Sequence, residues 1–310
     1  MLTKRIKHKD KNISSTLVVI ISFLVDILDI VLSLAVAILS GSVIMLSQVL
    51  EGVADLVSSG LLLVGIARAG QKADRQHPFG FGKELYVWAL LSGIVMVGIS
   101  ATLSIFFGWQ RFLYPQKIQD LHLAFLVLAF TTLTNGFAFY LSLKRLLRGR
   151  NLNQVIKIFL HSSLIETKTT FILDLMGTTA SILGMIALII YKITGDFRYD
   201  GFGAILIGAM LAILAFILLM GVVDLIVGRS ASMEVEDRIR LAAMTIPKVN
   251  KILGLRTLHI GSEKLLVNME VNLSSRLTTR QIENLIDKIK MKIRKEVPQA
   301  KHVQVELEGL

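Results

Sequence analysis

Long apolar runs separated by short polar connections occupy the first three quarters of the chain. Six of these runs are long enough for the helix of about 20 residues that crosses the hydrocarbon core of a bilayer. They predict spans near Leu17–Ser40, Ser42–Ile66, Leu85–Gly108, Leu121–Leu143, Thr169–Tyr191 and Phe202–Val227. The pattern therefore predicts an α-helical membrane protein whose residues 1–229 form a transmembrane domain with six helices.

From about Ser230 the pattern changes to that of a small soluble domain, with the order helix, strand, strand, helix, strand. Strands are predicted in Leu255–Gly261, Leu265–Ser274 and His302–Glu308, and the last two alternate apolar and polar residues as half-buried strands do. Thr278 and Gln281 form a capping-box pattern at the start of the second helix. One face of that helix is predicted to be apolar, and it carries Ile282, Leu285, Ile286, Ile289 and Ile293. We expect residues 230–310 to form a separate α+β domain.

Composition supports the membrane assignment and excludes several functions. The chain is 53% hydrophobic and 18% charged, with a mean hydropathy of +0.65. It has no cysteine, which excludes disulfides and thiolate metal sites. Phosphate loops of the Walker type, H-E-x-x-H and G-x-S-x-G motifs are also missing from the sequence. We therefore predict a protein that is not an enzyme and that draws on ion gradients for any transport.

The distribution of basic residues predicts the orientation in the membrane. The net charge of +11 arises largely from Lys and Arg in the N-terminal tail and in the connections after the second and fourth spans. Such residues favour the cytoplasmic side and contact anionic lipid, so nucleic acid is not needed to explain them. Both termini are predicted to be cytoplasmic, the first span is predicted to be retained rather than cleaved, and the short connections suit a bacterial inner membrane.

Acidic residues inside the predicted spans are the main functional signal. Glu51 and Asp55 lie four residues apart and so share a helix face near the middle of the second span, while Asp174 lies in the fifth span. Asp26 and Asp29 lie inside the first span. A carboxylate at the bilayer centre costs about 2.5 to 3.5 kcal/mol, and the sequence places no Lys or Arg at that depth. A bound cation would relieve the repulsion; the alternative is that some of these acids are protonated and hydrogen-bonded between helices.

The type of ligand limits the choice of ion and suggests a mechanism. None of the six histidines lies inside a predicted span. Oxygen ligands suit Mg, Ca or Mn, whereas Zn, Fe and Co commonly recruit imidazole. A carboxylate binds a divalent ion only when deprotonated, so metal binding releases protons and protonation expels metal. We expect a transported divalent metal ion rather than a prosthetic group.

These features together resemble the cation diffusion facilitator family of metal transporters. The resemblance rests on Glu51 and Asp55, on Asp174, on the connection "HPFGFGKE" followed by an aromatic-led span, and on six spans before a C-terminal domain. It implies exchange of a divalent cation for protons by alternating access in a homodimer, with a ferredoxin-like cytoplasmic domain for dimerisation or regulation. Glu51, Asp55 and Asp174 match three of the family's four metal ligands. Thr170 stands where the family usually has His or Asp, so a neighbour such as Asp29 is a candidate to complete the site.

The connection after the second span resembles a second metal site of the family. Asp74 and His77 match two of its positions, but Phe81 stands where a second His is often found. The favoured interpretation is a tight glycine-shaped turn capped by His77. His259 and His302, in the C-terminal domain, are isolated from other candidate ligands in the sequence.

Three functions are compatible with the sequence. The first is a proton-coupled exporter of a divalent metal such as Zn, Mn, Fe, Co or Mg. The second is a membrane protein that keeps the family scaffold without transporting, as a scaffold or regulatory subunit. The third is a passive cation channel lined by Asp26, Asp29 and Glu51, for which flux would not depend on a pH gradient.

Overall fold

The structure is a computed structural model that describes residues 15–147, 149–161 and 164–309. The basic N-terminal tail, on which part of the orientation argument rests, lies outside these residues. The described helices are α1 (Ser15–Ser40), α2 (Val43–Ala69), α3 (Glu84–Val95), α4 (Thr102–Leu113), α5 (Leu121–Leu147), α6 (Val155–His161), α7 (Ile165–Thr194), α8 (Arg198–Val227), α9 (Met233–Met244) and α10 (Thr279–Glu296). The strands are β1 (Val249–Gly261), β2 (Lys264–Leu273) and β3 (Ala300–Leu307).

Five helices of the described part are long and apolar enough to cross a membrane. They are Val43–Ala69, Glu84–Leu113, Leu121–Leu147, Ile165–Thr194 and Arg198–Val227. α1 coincides with the first predicted span, although the side chains of its first turns lie outside the described residues. Large apolar side chains such as Leu63, Leu133 and Phe137 are 64%, 75% and 64% exposed. A bilayer would cover these side chains, because lipid tails are as apolar as the residues themselves.

The apolar run of the third span predicted a regular α-helix, but the span is interrupted. A π-helical segment, Met96–Ala101, joins α3 to α4 in the middle of the span. The Thr102 hydroxyl donates to the Val97 carbonyl at 2.7 Å, which satisfies one acceptor of the widened turn. Apolar periodicity cannot reveal this insertion, because a π-helical turn keeps the same composition.

A buried ion pair holds the first turn of α2, the helix that carries Glu51 and Asp55. Asp200, at the start of α8, is fully buried. Its carboxylate accepts hydrogen bonds from Ser42 Oγ at 2.7 Å and from the backbone N–H groups of Val43 and Ile44 at 3.0 and 3.1 Å. Arg111 Nε lies 3.3 Å from the same carboxylate. Asp200 therefore satisfies helix N–H groups that would otherwise lack a partner.

The C-terminal domain has the predicted α+β order. β1 pairs antiparallel with β2, and β2 pairs parallel with β3, in one sheet with the order β1-β2-β3. The capping box of Thr278 and Gln281 is present at the start of α10. α10 buries Leu285, Ile289 and Ile293 of its predicted apolar face, and apolar residues of the sheet such as Val267 belong to the same core. The αββαβ order is the one expected for the ferredoxin-like domain.

The turn between β1 and β2 contacts the membrane helices. The Ser262 hydroxyl donates to the Glu166 carboxylate at 2.8 Å, at the start of α7. Lys264 Nζ donates to the Ala69 carbonyl, at the end of α2, at 3.5 Å. The backbone of Gly82, before α3, lies directly against Ile260, and a side chain at Gly82 would collide with it. This turn thus touches both helices that carry the predicted metal ligands.

Candidate metal-binding site

The two acids of α2 lie in the interior of the helix bundle. Glu51 is 5% exposed, and Asp55 follows it by four residues on the same face of the helix. Asp55 Oδ1 is buried and has no hydrogen-bond partner among the described residues. One turn before Glu51, both amide atoms of Gln48 are buried and unpartnered in the same described part of the chain. This face of α2 is polar, enclosed and largely unsatisfied.

α7 brings the third acid to the bundle. Gly177, three residues after Asp174, has no side chain, and the Glu51 carboxylate of α2 reaches its backbone: a Cβ built there would lie 3.2 Å from Glu51 Oε1. Arg145, near the end of α5, acts electrostatically on Asp174. Arg145 itself is exposed near the helix end, so the expectation that no basic residue lies at the depth of the acids stays a prediction.

Thr170 is satisfied within its own helix. Its hydroxyl donates to the Glu166 carbonyl, one turn earlier, at 2.9 Å. The oxygen can still accept, but it carries no charge and its proton is directed away from any ion. Thr170 is thus a weak counterpart to the His or Asp that the resemblance leads one to expect there.

Asp29 of α1 is held by hydroxyl groups of α5. Thr131 Oγ1 donates to Asp29 Oδ1 at 2.5 Å, and Thr134 Oγ1 to Asp29 Oδ2 at 3.5 Å. Asp26, one turn earlier, is exposed on the isolated chain. Asp29 thus matches the hydrogen-bonded alternative that the sequence left open more closely than Glu51 or Asp55 does.

The acids of three helices act on one another electrostatically. Glu51 interacts with the carboxylates of Asp55, Asp29, Asp26 and Asp174, and Asp55 interacts with Asp174 and Asp26. In the described residues, no group of three or more His, Asp or Glu side chains is gathered closely enough to hold a metal ion in this conformation. The helices thus bring the acids into one region. Coordination of one ion by Glu51, Asp55 and Asp174 together would require their carboxylates to move closer to one another.

Sequence reasoning missed the polar side of α5. Thr131 and Thr134 contact Asp29, and Ser142 interacts with Asp174. Asn135 lies beside Gly177 and Glu51. The sequence did contain a signal, the polar cluster "TTLTNG" inside an apolar span. Its residues are uncharged, so it is less conspicuous than the acids.

The connection between α2 and α3 is a compact turn. The His77 N–H donates to Asp74 Oδ1 at 2.6 Å, and His77 Nδ1 lies 3.1 Å from the same oxygen. The backbone hydrogen bond from His77 is the main cause that lowers the pKa of Asp74. Gly80 has a φ of +80°, a value that glycine adopts without strain. Asp74 supplies the carboxylate of this turn, and His77 closes it through its own carbonyl, which accepts from the Asp74 and Gly80 N–H groups.

The histidines of the C-terminal domain lie apart from acidic ligands. His259 is 5% exposed, and burial, followed by repulsion from Arg229 and Lys168, lowers its pKa from 6.5 to about 4. His302 makes an edge contact with Phe79, with ring centroids 5.3 Å apart. For neither residue does the described chain supply two further ligands.

Apolar spanning helices around a cluster of acids, followed by an α+β domain, define an integral membrane protein with a cation-attracting interior. The family model described as the cation efflux transmembrane domain matches residues 19–227. The model described as the cytoplasmic domain of cation efflux proteins matches residues 231–309. The chain therefore belongs to the cation efflux family of membrane transporters, and the predicted resemblance to cation diffusion facilitators is confirmed.

Several characterised proteins are similar to this chain. It is 28% identical over 247 residues to the mitochondrial proton-coupled zinc antiporter SLC30A9 of Mus musculus and of Homo sapiens, a match that covers 78% of this chain and 43% of each relative. The chain thus spans less than half the length of these relatives. It is 25% identical over 255 residues to the cation-efflux pump FieF of Shewanella oneidensis, covering 82% of this chain and 81% of the pump. A solved nickel form of the MamM CTD matches 26% of this chain and 99% of its own length, with 20% identity and a TM-score of 0.24.

Proposed function

We propose that the protein exports a divalent metal cation across a membrane in exchange for protons. The observation that carries the proposal is the burial of Glu51 at 5% exposure within electrostatic reach of four other carboxylates from α1, α2 and α7. Carboxylates crowded in this way repel one another when ionised and are stabilised either by protons or by a cation. Relatives named as a proton-coupled zinc antiporter and a cation-efflux pump support the same function.

The acids of α2 and α7 have defined roles in this proposal. Glu51, Asp55 and Asp174 bind the cation when they are deprotonated, and protons that enter the site displace it. Asp29 is a candidate to complete the site from α1. Relative movement of α2 and α7 against the other helices opens the site first to one side of the membrane and then to the other.

The assembly and orientation follow the same proposal. The protein works as a homodimer with both termini in the cytoplasm, in a bacterial inner membrane, and residues 230–310 form the dimerisation or regulatory domain after a transport domain of residues 1–229. Exposed apolar side chains in the C-terminal domain, among them Leu241 at 68% and Met291 at 62%, offer surface that a second copy could cover. The candidate ions are Zn, Mn, Fe, Co and Mg.

A second candidate function is a non-transporting scaffold or regulatory subunit. It is favoured by Thr170, whose hydroxyl is committed to the Glu166 carbonyl and supplies no charge to a metal site. On this alternative the acids are protonated and stabilise contacts between helices, and the C-terminal domain carries the function.

Metal flux in proteoliposomes separates the two functions. Purified protein is reconstituted with an imposed pH gradient and tested with Zn, Mn, Fe, Co and Mg, beside the variants Asp55→Asn and Asp120→Asn. Asp120, at 45° in φ, lies in an exposed connection where Asn is readily accommodated, so it controls for the loss of one carboxylate. The exporter predicts flux that depends on the pH gradient and is lost only in Asp55→Asn. No flux for any metal, from folded dimeric protein, would favour the scaffold, and flux indifferent to the gradient would favour a channel.

A further inference from the structure

α5 faces the acids of the other three helices with a polar side. Its Thr131 and Thr134 hydroxyls donate to Asp29 of α1, and its Ser142 interacts with Asp174 of α7. Asn135 lies between these contacts, one turn after Thr131, so it belongs to the same helix face. α5 therefore forms a wall of the acidic region, although it contributes no acid of its own within the span.

Asn135 and Glu51 converge on Gly177. A Cβ at this glycine would lie 2.9 Å from Asn135 Nδ2 and 3.2 Å from Glu51 Oε1. The amide of α5 and the carboxylate of α2 thus approach the same point on α7, three residues beyond Asp174. A side chain at Gly177 would therefore have to displace the end of the Asn135 or the Glu51 side chain.

Neither group at this point is satisfied by the protein. No hydrogen bond joins the Asn135 amide or the Glu51 carboxylate to another residue of the described ranges. Glu51 is 5% exposed, and a carboxylate with so little access to water and no hydrogen bond is costly to keep ionised. A ligand that binds between Glu51 and Asn135 would remove that cost.

We propose that the Asn135 amide oxygen is a ligand of the cation bound by Glu51, and that it supplies a fourth ligand to the site in place of one from Thr170. The inference rests on the proposed function and deepens it. The oxygen and nitrogen of an amide exchange places by a half-turn of the terminal torsion, so Asn135 can direct its oxygen to a cation at Gly177. Unlike a fourth carboxylate, this ligand adds affinity without a charge and without a proton to exchange.

The proposed ligand set has consequences for ion selectivity. Three carboxylates and an amide oxygen form a site made only of oxygen, the type that suits Mn²⁺ or Mg²⁺, whereas Zn²⁺ commonly recruits imidazole. We therefore infer that Asn135 favours Mn²⁺ over Zn²⁺ relative to a histidine at the same place. Asn135 would then be the residue on α5 that determines specificity.

The test compares Asn135→Leu, Asn135→Asp and Asn135→His with the wild type. Thr132→Val is the matched control, because Thr132 is a polar residue of the same helix whose hydroxyl donates to the Leu128 carbonyl at 2.7 Å rather than to the acids. Folding of each variant is checked by size-exclusion chromatography and tryptophan fluorescence. Binding of Mn²⁺ and Zn²⁺ alone is measured by calorimetry, and flux of each metal in proteoliposomes.

Asn135→Leu is expected to weaken Mn²⁺ binding about 10-fold or more, the effect typical of losing a group that supports a metal site. Asn135→Asp should restore binding and make it more dependent on pH, since the new carboxylate must lose a proton. Asn135→His should raise the ratio of Zn²⁺ to Mn²⁺ affinity, and Thr132→Val should change neither. A helix-packing role alone would lower stability without shifting this ratio.

Binding and flux fail independently of one another. If the wild type binds Mn²⁺ and Asn135→Leu binds it equally well, the ligand role of Asn135 is wrong even if the protein transports. If the wild type binds no metal, the inference is also wrong. If binding depends on Asn135 but no metal is transported, the inference stands and the proposed export function fails.

Discussion

Replacing Asp200 by alanine removes the carboxylate that holds the first turn of α2. The variant leaves the N–H groups of Val43 and Ile44 without their acceptor and leaves Arg111, whose side chain is 10% exposed, without its counter-ion. Breaking a buried ion pair by removing one partner costs about 3 to 5 kcal/mol. Arg111 still donates to the Gly41 carbonyl and to Gln116 Oε1. We therefore expect Asp200→Ala to lower the free energy of unfolding by about 3 kcal/mol, near the low end of that range.

The assay follows unfolding of detergent-solubilised protein by intrinsic tryptophan fluorescence. The chain has two tryptophans, Trp88 and Trp109, and Trp109 lies two residues from Arg111, so it reports on the affected region. Titration with a denaturing detergent measures the free energy of unfolding. Asp196→Ala is the control, since Asp196 lies just before α8 but is exposed, and its carboxylate accepts the Arg198 N–H at 2.9 Å rather than a helix N–H of α2.

A double-variant cycle with Arg111→Ala tests the physical reason. If Asp200 and Arg111 stabilise α2 through each other, the loss in the double variant is smaller than the sum of the two single losses. If Asp200→Ala lowers the free energy of unfolding no more than Asp196→Ala does, the reasoning is refuted. Strictly additive losses would show that Asp200 acts as a helix cap alone, with a contribution of about 1 kcal/mol.

Three further outcomes are expected. Burial lowers the pKa of His259 from 6.5 to about 4, so between these pH values the unfolded chain binds more protons than the folded one. The free energy of unfolding therefore falls as the pH drops through this window. We expect His259→Gln to reduce the slope of melting temperature against pH. Gly208→Val places a Cβ 2.8 Å from the Ala101 carbonyl oxygen and should lower the free energy of unfolding by about 1 to 3 kcal/mol. In the same denaturation experiment Gly221→Val should leave it unchanged, because a Cβ there meets nothing within 4 Å. Asp74→Asn should leave metal flux unchanged if the connection is only a turn, and a marked drop in proteoliposomes would instead indicate a second metal site there.

The spans and the α2 acids could be predicted because they are local properties of the chain. Whether about 20 apolar residues can cross a bilayer depends on their own length and composition. That Glu51 and Asp55 share a face depends only on the helical repeat. The capping box and the apolar face of α10 are likewise set by neighbours within a few turns, and the structure confirms both.

The neighbours of each acid could not be predicted in this way. Asn135 and Gly177 are 42 positions apart in the numbering and are uncharged, so nothing in a single span indicates that they meet at Glu51. Asp200 was placed in a connection before the sixth span, and only the folded chain shows it buried against α2. The π-helical segment in the third span was missed for another reason, because such a turn keeps the composition of a regular apolar helix.

The sequence by itself thus determined that this chain spans a membrane, that it carries acids on one face of its second helix, and that an α+β domain follows. Hydrophobicity, helical period and capping act over a few residues, so they do not depend on the tertiary fold. The tertiary structure decided which helices meet, that α5 lines the acidic region, and that the β1–β2 turn touches α2 and α7. Those results depend on the fit of side chains from distant segments, such as the space that Gly177 leaves for Asn135 and Glu51.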